Sequence, residues 1–206
     1  MSQPESRESL RRRLLPFTGL IPVILMVPVL AFDLYGPAIV LALLSGAAVI
    51  AYHVARGQGV TSLDLILLGF AAVNAVLYFG FDNAVLLDHI DAVIYTVLAA
   101  HAGWTLLHGE PWTTQFTKRT VSPDAWSLPE FRAVNRFSTK LWAACFAVCD
   151  VVALAFGQPL RLYLPILLMV GLAMVSRRLA RLYLARHLGV PVDALPAPWN
   201  GVAPAA

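Results

Sequence analysis

The chain has 206 residues, of which 59% are hydrophobic and only 13% are charged, and its mean hydropathy is +0.71. This composition excludes a water-soluble globule of this size and indicates an integral membrane protein, so the lipid bilayer is the first expected partner. The formal net charge of +3 is small and no nucleic-acid-binding motif accompanies it, so a nucleic-acid partner is not expected.

Windows of about 20 apolar residues, the length that crosses a bilayer as a helix, follow one another along the chain. Six such windows lie at 14–32, 37–55, 62–80, 84–107, 141–158 and 160–184. We therefore predict an all-α polytopic membrane protein, whose six-helix transmembrane bundle occupies residues 14–188 and includes a cytoplasmic loop over 108–140. A polar tail, 1–13, precedes it. The tail 189–206 holds four prolines, and a surface-draped end without regular helix is expected there.

The positions of the cations predict the orientation of the bundle. Fourteen of the fifteen Lys and Arg residues precede helix one, follow helix two, lie between helices four and five, or end helix six. With an even number of spans these positions share one side of the membrane, and only Arg161 falls on the other. By the positive-inside rule the cation-rich side is the cytoplasm. We expect both termini in the cytoplasm of a cell with a bacterial-type inner membrane.

Carboxylates at membrane depth are the candidates for an ion or proton site, because such groups are costly unless they function or pair. Asp88, Asp91 and Tyr95 are spaced to share one face of helix four. Asp150 lies deeper, in helix five, with Arg161 as the only cation in reach of its side. The alternative for Asp88 and Asp91 is a place in the first turns of helix four, where the helix dipole favours negative charge.

Two histidines are the only candidates for a haem site. His53 lies near the cytoplasmic end of helix two and His108 at the corresponding end of helix four, and paired histidines from two helices can ligate a haem. An imidazole is equally suited to the membrane interface without any metal. We predict no cofactor and no metal.

The longest polar stretch separates helices four and five, and loops of such length are commonly functional. In its second half, Ser127 is placed to cap a helix that has Pro129 and Glu130 in its first turn. We predict an amphipathic helix at the cytoplasmic surface that leads into helix five, with aromatic and aliphatic side chains on one face and cations on another. The residues expected to bind a partner or the lipid surface are Trp112, Lys118, Arg119, Trp126, Phe131, Arg132, Arg136, Phe137 and Lys140. A hairpin that only anchors to anionic lipid is the alternative.

Over residues 14–187 the layout resembles the intracellular septation protein A family of inner-membrane-spanning proteins. The stretch FDLYGPAIVLALLSGAAVIAYHVARGQ contributes Asp33 and Tyr35, the fourth span is flanked by acids and histidines, and the polar loop ends in a Trp, Asn, Trp, Phe series. That series is Trp126, Asn135, Trp142 and Phe146. The chain departs from the family pattern in the seven-residue spacing of Asn135 and Trp142, and in its tail.

The resemblance implies a protein of the cell envelope that acts through other membrane proteins and has no established reaction. No catalytic fingerprint such as G-x-S-x-G, H-E-x-x-H or a P-loop is present, so an enzyme is not expected. Two alternatives stay open. One is an accessory transmembrane subunit of a larger redox or photosynthetic complex, and the other is a small proton- or ion-coupled transporter that uses the carboxylates.

Overall fold

The computed structural model describes residues 19, 21–30, 32–119, 121–157 and 160–195. Within these ranges every regular element is a helix. The chain divides between Ile90 and Asp91 into two compact units. The prediction of an all-helical chain is therefore confirmed for the described residues.

The first unit contains α1 (Ile21–Leu30), α2 (Tyr35–Ala55), α3 (Ser62–Ala75) and α4 (Val85–Asp88), and a π-helical turn over Val76–Gly80 extends α3. Helix α2 packs against both α1 and α3. Gly46 permits this close approach, because a Cβ there would lie 3.2 Å from Leu68 and 3.7 Å from Pro22. Ala42 and Gly46, two small residues one turn apart on α2, are both buried, as is typical of closely packed membrane helices.

The second unit contains α5 (Ile90–Leu107), whose first residue closes the preceding unit, followed by α6 (Trp112–Thr117), α7 (Pro129–Ala155) and α8 (Leu160–Leu188). Single turns of 3-10 helix lie at Pro123–Ala125 and Val192–Ala194. Helices α7 and α8 form the largest contact of the unit, and α6 packs on α7.

Five helices of the described chain are long and apolar enough to cross a membrane. They are Tyr35–Ala55, Ser62–Gly80, Ile90–Leu107, Pro129–Ala155 and Tyr163–Leu188. Of the predicted first span, 14–32, the structure describes the ten-residue apolar helix Ile21–Leu30, which includes Pro22 and Pro28. The whole tail 1–13 and residues 14–18, 20 and 31 of that span lie outside the described residues.

Two predicted boundaries differ from the structure. The fourth window, 84–107, is broken at His89 into α4 and α5, so Asp88 and Asp91 do not lie on one continuous helix. The predicted amphipathic helix is not a separate element, because it forms the first turns of the 27-residue helix α7. Ser127 does not cap it. The N-cap residue is Leu128, which makes no side-chain cap, and Ser127 donates to the carbonyl of Asp124 instead.

The same backbone signal ends two of the long helices. After α2, Gly57 has φ +65°, and the amides of Gly57 and Gln58 donate to the carbonyls of Val54 and His53. This is a Schellman motif, in which a glycine without a Cβ adopts the left-handed conformation. Gly189, with φ +67°, ends α8 in the same way.

The tail is more ordered than expected up to Leu195. Val190 follows the terminating Gly189, the turn Val192–Ala194 comes next, and Leu195 is buried at 2% exposure against Leu184 and Ala185. An apolar contact after the glycine commonly accompanies a Schellman motif and holds the chain against its own helix. Residues 196–206 lie outside the described part.

Candidate functional site

A buried polar pair joins the ends of α2 and α3. His53 Nδ1 lies 3.2 Å from Asp64 Oδ2, and the two side chains are 0% and 1% exposed. Asp64 also accepts the amide of Thr61, whose hydroxyl accepts the amide of Asp64, so the two residues form a reciprocal capping box at the start of α3. One carboxylate therefore both begins a helix and fixes the imidazole at the end of the preceding one.

The two haem candidates have different environments. His53 directs one ring nitrogen to Asp64, whereas His108 stacks on Trp104 with ring centroids 4.0 Å apart and is exposed. The two histidines belong to different compact units. Within the described ranges, no group of three or more His, Cys, Asp or Glu is placed to hold a metal ion. No cofactor is assigned to these residues.

The predicted carboxylate face of helix four is divided between the two units. In the first unit, Asp88 accepts a 2.8 Å hydrogen bond from the hydroxyl of Tyr35, 53 residues earlier. In the second unit, Asp91 forms an ion pair with Arg161: Nε of the guanidinium group lies against one carboxylate oxygen, and Nη2 donates to the other at 3.2 Å. Tyr95 is buried and lies on the same helix as Asp91. Asp88 and Asp91 therefore lie on different helices, whereas the spacing predicted one helix for both.

Asp150 has a neutral partner rather than the expected cation. It accepts a 3.0 Å hydrogen bond from the hydroxyl of Thr96, which joins α7 to α5. Arg161, the only cation that the sequence offered to Asp150, pairs with Asp91 instead. The Thr96–Asp150 hydrogen bond thus joins α5 to α7, and the Asp91–Arg161 ion pair joins α5 to α8.

We expect Arg161→Gln to lower the free energy of unfolding by about 1 kcal/mol, because Asp91 loses a partner while its side chain stays 14% exposed. The loss is recovered in part in the double variant Arg161→Gln with Asp91→Asn, since the unpaired charge is then gone. Thermal unfolding in detergent measures both. Equal stability of the wild type and the single variant would show that the pair contributes nothing.

The polar segment that follows α5 forms a helix of its own and docks on α7 through hydroxyls. Thr113 Oγ1 donates to the carbonyl of Asn135 at 2.9 Å and lies 2.7 Å from Thr139 Oγ1. Thr117 Oγ1 lies 2.8 Å from Asn135 Oδ1, while the amide nitrogen of Asn135 donates to the carbonyl of Phe131. Because Thr113, Asn135 and Thr139 are buried, this network fixes α6 against the start of α7.

Aromatic and charged residues of the segment contact one another as well. Trp112 lies in a cluster with Phe116, Trp142 and Phe146, with ring centroids 5.4 to 6.3 Å apart. Four further contacts involve the remaining predicted residues: Lys118 pairs with Glu110 and lies over the ring of Trp126, Arg119 lies over the ring of Phe116, and Trp126 Nε1 donates to the carbonyl of Val121. These side chains stabilise the segment itself.

The predicted surface residues of α7 separate into two sets. Phe131 is 1% exposed, so it packs inside the unit and is not available to a partner in this conformation. Phe137 stacks on Tyr183 of α8 with centroids 4.3 Å apart. By contrast Arg132, Arg136 and Lys140 are exposed.

The first turns of α7 and the last turns of α8 make a packed helix pair, which we call the basic extension (129–140 and 177–195). Its core contains Val134, Leu184, Ala185 and Leu195. It carries seven Lys or Arg residues against two Asp or Glu residues. The exposed cations are Arg132, Arg136, Lys140, Arg177, Arg178 and Arg186. A folded, strongly cationic surface therefore lies at one end of the second unit.

Sequence reasoning missed Asp64, Thr96 and the threonines of α6. A signal existed for the first of these, because Thr61-Ser-Leu-Asp64 before an apolar run has the spacing of a capping box. The threonines gave no such signal, since their partners lie 22 and 26 residues away.

No protein-family model, curated protein or solved structure matches the chain.

Proposed function

We propose that this is a non-enzymatic integral membrane protein that acts through contacts with other membrane proteins, made at the basic extension. It spans the bilayer six times and has both termini in the cytoplasm of a bacterial-type inner membrane. In line with the resemblance to septation proteins, we propose that such contacts serve the upkeep of the cell envelope.

Three exposed arginines of the basic extension support the proposal. We call them the distal cations, because they lie nearer the start of α7 or the end of α8 than Lys140, Arg177 and Arg178 do. Arg132, Arg136 and Arg186 are exposed, while the same helix pair has its own packed core in the Phe137–Tyr183 stack and the cluster around Leu184. A long cationic side chain on an ordered helix loses less conformational freedom on binding than one on a loop. Acidic surfaces of partner proteins are the complementary chemistry.

Purification of the full-length tagged protein from native membranes in mild detergent tests the proposal. The wild type is expected to retain a sparse, reproducible set of membrane proteins, and the variant Arg132→Glu with Arg136→Glu and Arg186→Glu to lose them at least about fivefold, because about 1 kcal/mol per reversed contact is at stake. The matched control reverses Arg56, an exposed cation at the end of α2.

The possible outcomes separate the alternatives. A single stoichiometric complex that survives in the triple variant would favour the accessory subunit and contradict docking at the basic extension. A protein that purifies alone and binds an ion that Asp150→Asn abolishes would favour the transporter.

A further inference from the structure

We propose that the groove between α7 and α8 holds one acyl chain of an anionic phospholipid, whose phosphate is bound by Lys140, Arg177 and Arg178 at the end of the groove. The inference rests on the membrane-spanning arrangement and not on any protein partner. It assigns a lipid site that lies beside the distal cations of the proposed docking surface.

The groove is lined mainly by apolar side chains and is largely open to the outside. Leu141, Ala144 and Val148 of α7 face Leu168, Gly171 and Leu172 of α8, Cys145 also lines it, and its volume is about 430 Å³. That volume is within the range of small-molecule sites, roughly 300–1,000 Å³. Hydrocarbon is the chemistry that such a lining accepts, because the polar side chain among the lining residues is the thiol of Cys145, which is only a weak hydrogen-bonding group.

The groove runs along the helices and can hold part of an extended chain. Leu141 and Val148 are seven residues apart on α7, which corresponds to about 10 Å along the helix axis. Gly171 lines the groove, and the space beside it is open, since a Cβ placed there would meet no atom within 4 Å. A larger side chain at this position would therefore occupy space that a hydrocarbon can fill.

The three cations are placed where the groove ends. Lys140 adjoins the lining residue Leu141, and Arg177 lies five residues beyond Leu172, about 7.5 Å along the axis. Because α7 and α8 contact each other as an antiparallel pair, with Phe137 stacked on Tyr183, both helices bring their cations to the same end. This is the depth at which an apolar span meets headgroups.

A lipid phosphate supplies negative charge to the three cations at the end of the groove. Lys140, Arg177 and Arg178 are exposed and form no ion pair with the residues that the structure describes, and the sequence of α8 contains no Asp or Glu from Leu160 to Leu188. If a second copy of the chain packed symmetrically on this groove, the three cations of one copy would face the three cations of the other. Like charges repel, so such a dimer is disfavoured. An anionic lipid neutralises them.

Native mass spectrometry of the full-length protein with added dioleoyl phosphatidylglycerol, against dioleoyl phosphatidylcholine, tests the inference. The wild type is expected to retain one phosphatidylglycerol preferentially. The triple variant Lys140→Gln with Arg177→Gln and Arg178→Gln is expected to bind phosphatidylglycerol with an affinity at least about tenfold lower. Each cation near a membrane surface strengthens the binding of anionic lipid about fivefold. Arg56→Gln with Arg132→Gln and Arg186→Gln removes the same charge elsewhere and leaves that affinity within about threefold.

The groove is tested separately from the charge. Gly171→Leu, or Ala144→Leu if the first variant does not fold, fills the groove and is expected to lower retention of the same lipid at least about fivefold. Gly69→Leu is the matched control, because Gly69 lies in another span with equally open space around its Cβ.

Three results would overturn the inference: equal retention of both lipids by the wild type, loss of binding in the charge variant but not in the groove variants, or a change of oligomeric state in the groove variants with lipid retention unaltered. None of these depends on the captured proteins of the co-purification experiment, so the lipid site and the docking function fail independently.

Discussion

Replacement of His53 by alanine is expected to lower the free energy of unfolding by about 3 kcal/mol. The imidazole is 0% exposed and lies 3.2 Å from the carboxylate of Asp64, which is 1% exposed at its side chain. Its removal leaves a buried acid with one partner fewer and opens a cavity between the ends of α2 and α3. Thermal or denaturant unfolding in detergent measures the loss.

His108→Ala is the matched control, since His108 is exposed and contacts mainly the ring of Trp104. Its stability is expected to stay within about 0.5 kcal/mol of the wild type. The double variant His53→Ala with Asp64→Ala should lose less than the sum of the two single losses, because the contact between the two side chains is already lost in either single variant. Strict additivity would mean that the two side chains do not interact.

Replacement of Asn135 by alanine is expected to loosen α6 from α7. The side chain of Asn135 joins Thr117 to the carbonyl of Phe131, and its backbone carbonyl accepts from Thr113. Losing two hydrogen bonds at a site with 2% exposure costs about 2 kcal/mol. The local opening of the polar segment then becomes more frequent while the long helices stay folded.

Limited trypsin digestion reports this opening, because Lys118 and Arg119 follow α6 directly. When cleavage follows the open population, its rate rises about fivefold in Asn135→Ala, because of the two lost side-chain hydrogen bonds only the one to Thr117 joins α7 to α6, and its loss costs the closed state about 1 kcal/mol. Ser138→Ala, a change of a half-buried hydroxyl on the same helix, is expected to leave the rate unchanged. An unaltered rate in Asn135→Ala would show that the hydroxyl network does not hold α6.

The polar segment shows where sequence reasoning succeeded and where it stopped. The spacing of Arg132, Arg136 and Lys140 predicted an exposed cationic face, and these residues are exposed. The same periodicity placed Phe131 on a binding surface, whereas it is buried. The helical repeat of apolar residues distinguishes the apolar face of a helix from the polar face. It does not show whether the apolar face contacts lipid, a partner protein or another part of the same chain.

The carboxylates pair with residues that are far from them in the sequence. Tyr35 and Asp88 are 53 residues apart, Thr96 and Asp150 are 54 apart, and Asp91 and Arg161 are 70 apart. Sequence proximity suggested Arg161 for Asp150, since both flank the same short connection. The sequence also predicted one helix for Asp88 and Asp91. The break at His89 separates Asp88 from the helix that carries Asp91.

By itself the sequence determined the helical membrane class, most of the apolar segments and the distribution of cations, because these depend on local composition and on the length needed to cross a bilayer. Only the tertiary structure decided which polar groups meet. Helices such as α2 and α3, which are apolar around most of their circumference, present no preferred face in the sequence, so the contact of His53 with Asp64 depends on how the two helices pack. The docking of α6 on α7 depends on hydroxyl groups whose partners lie 22 and 26 residues away.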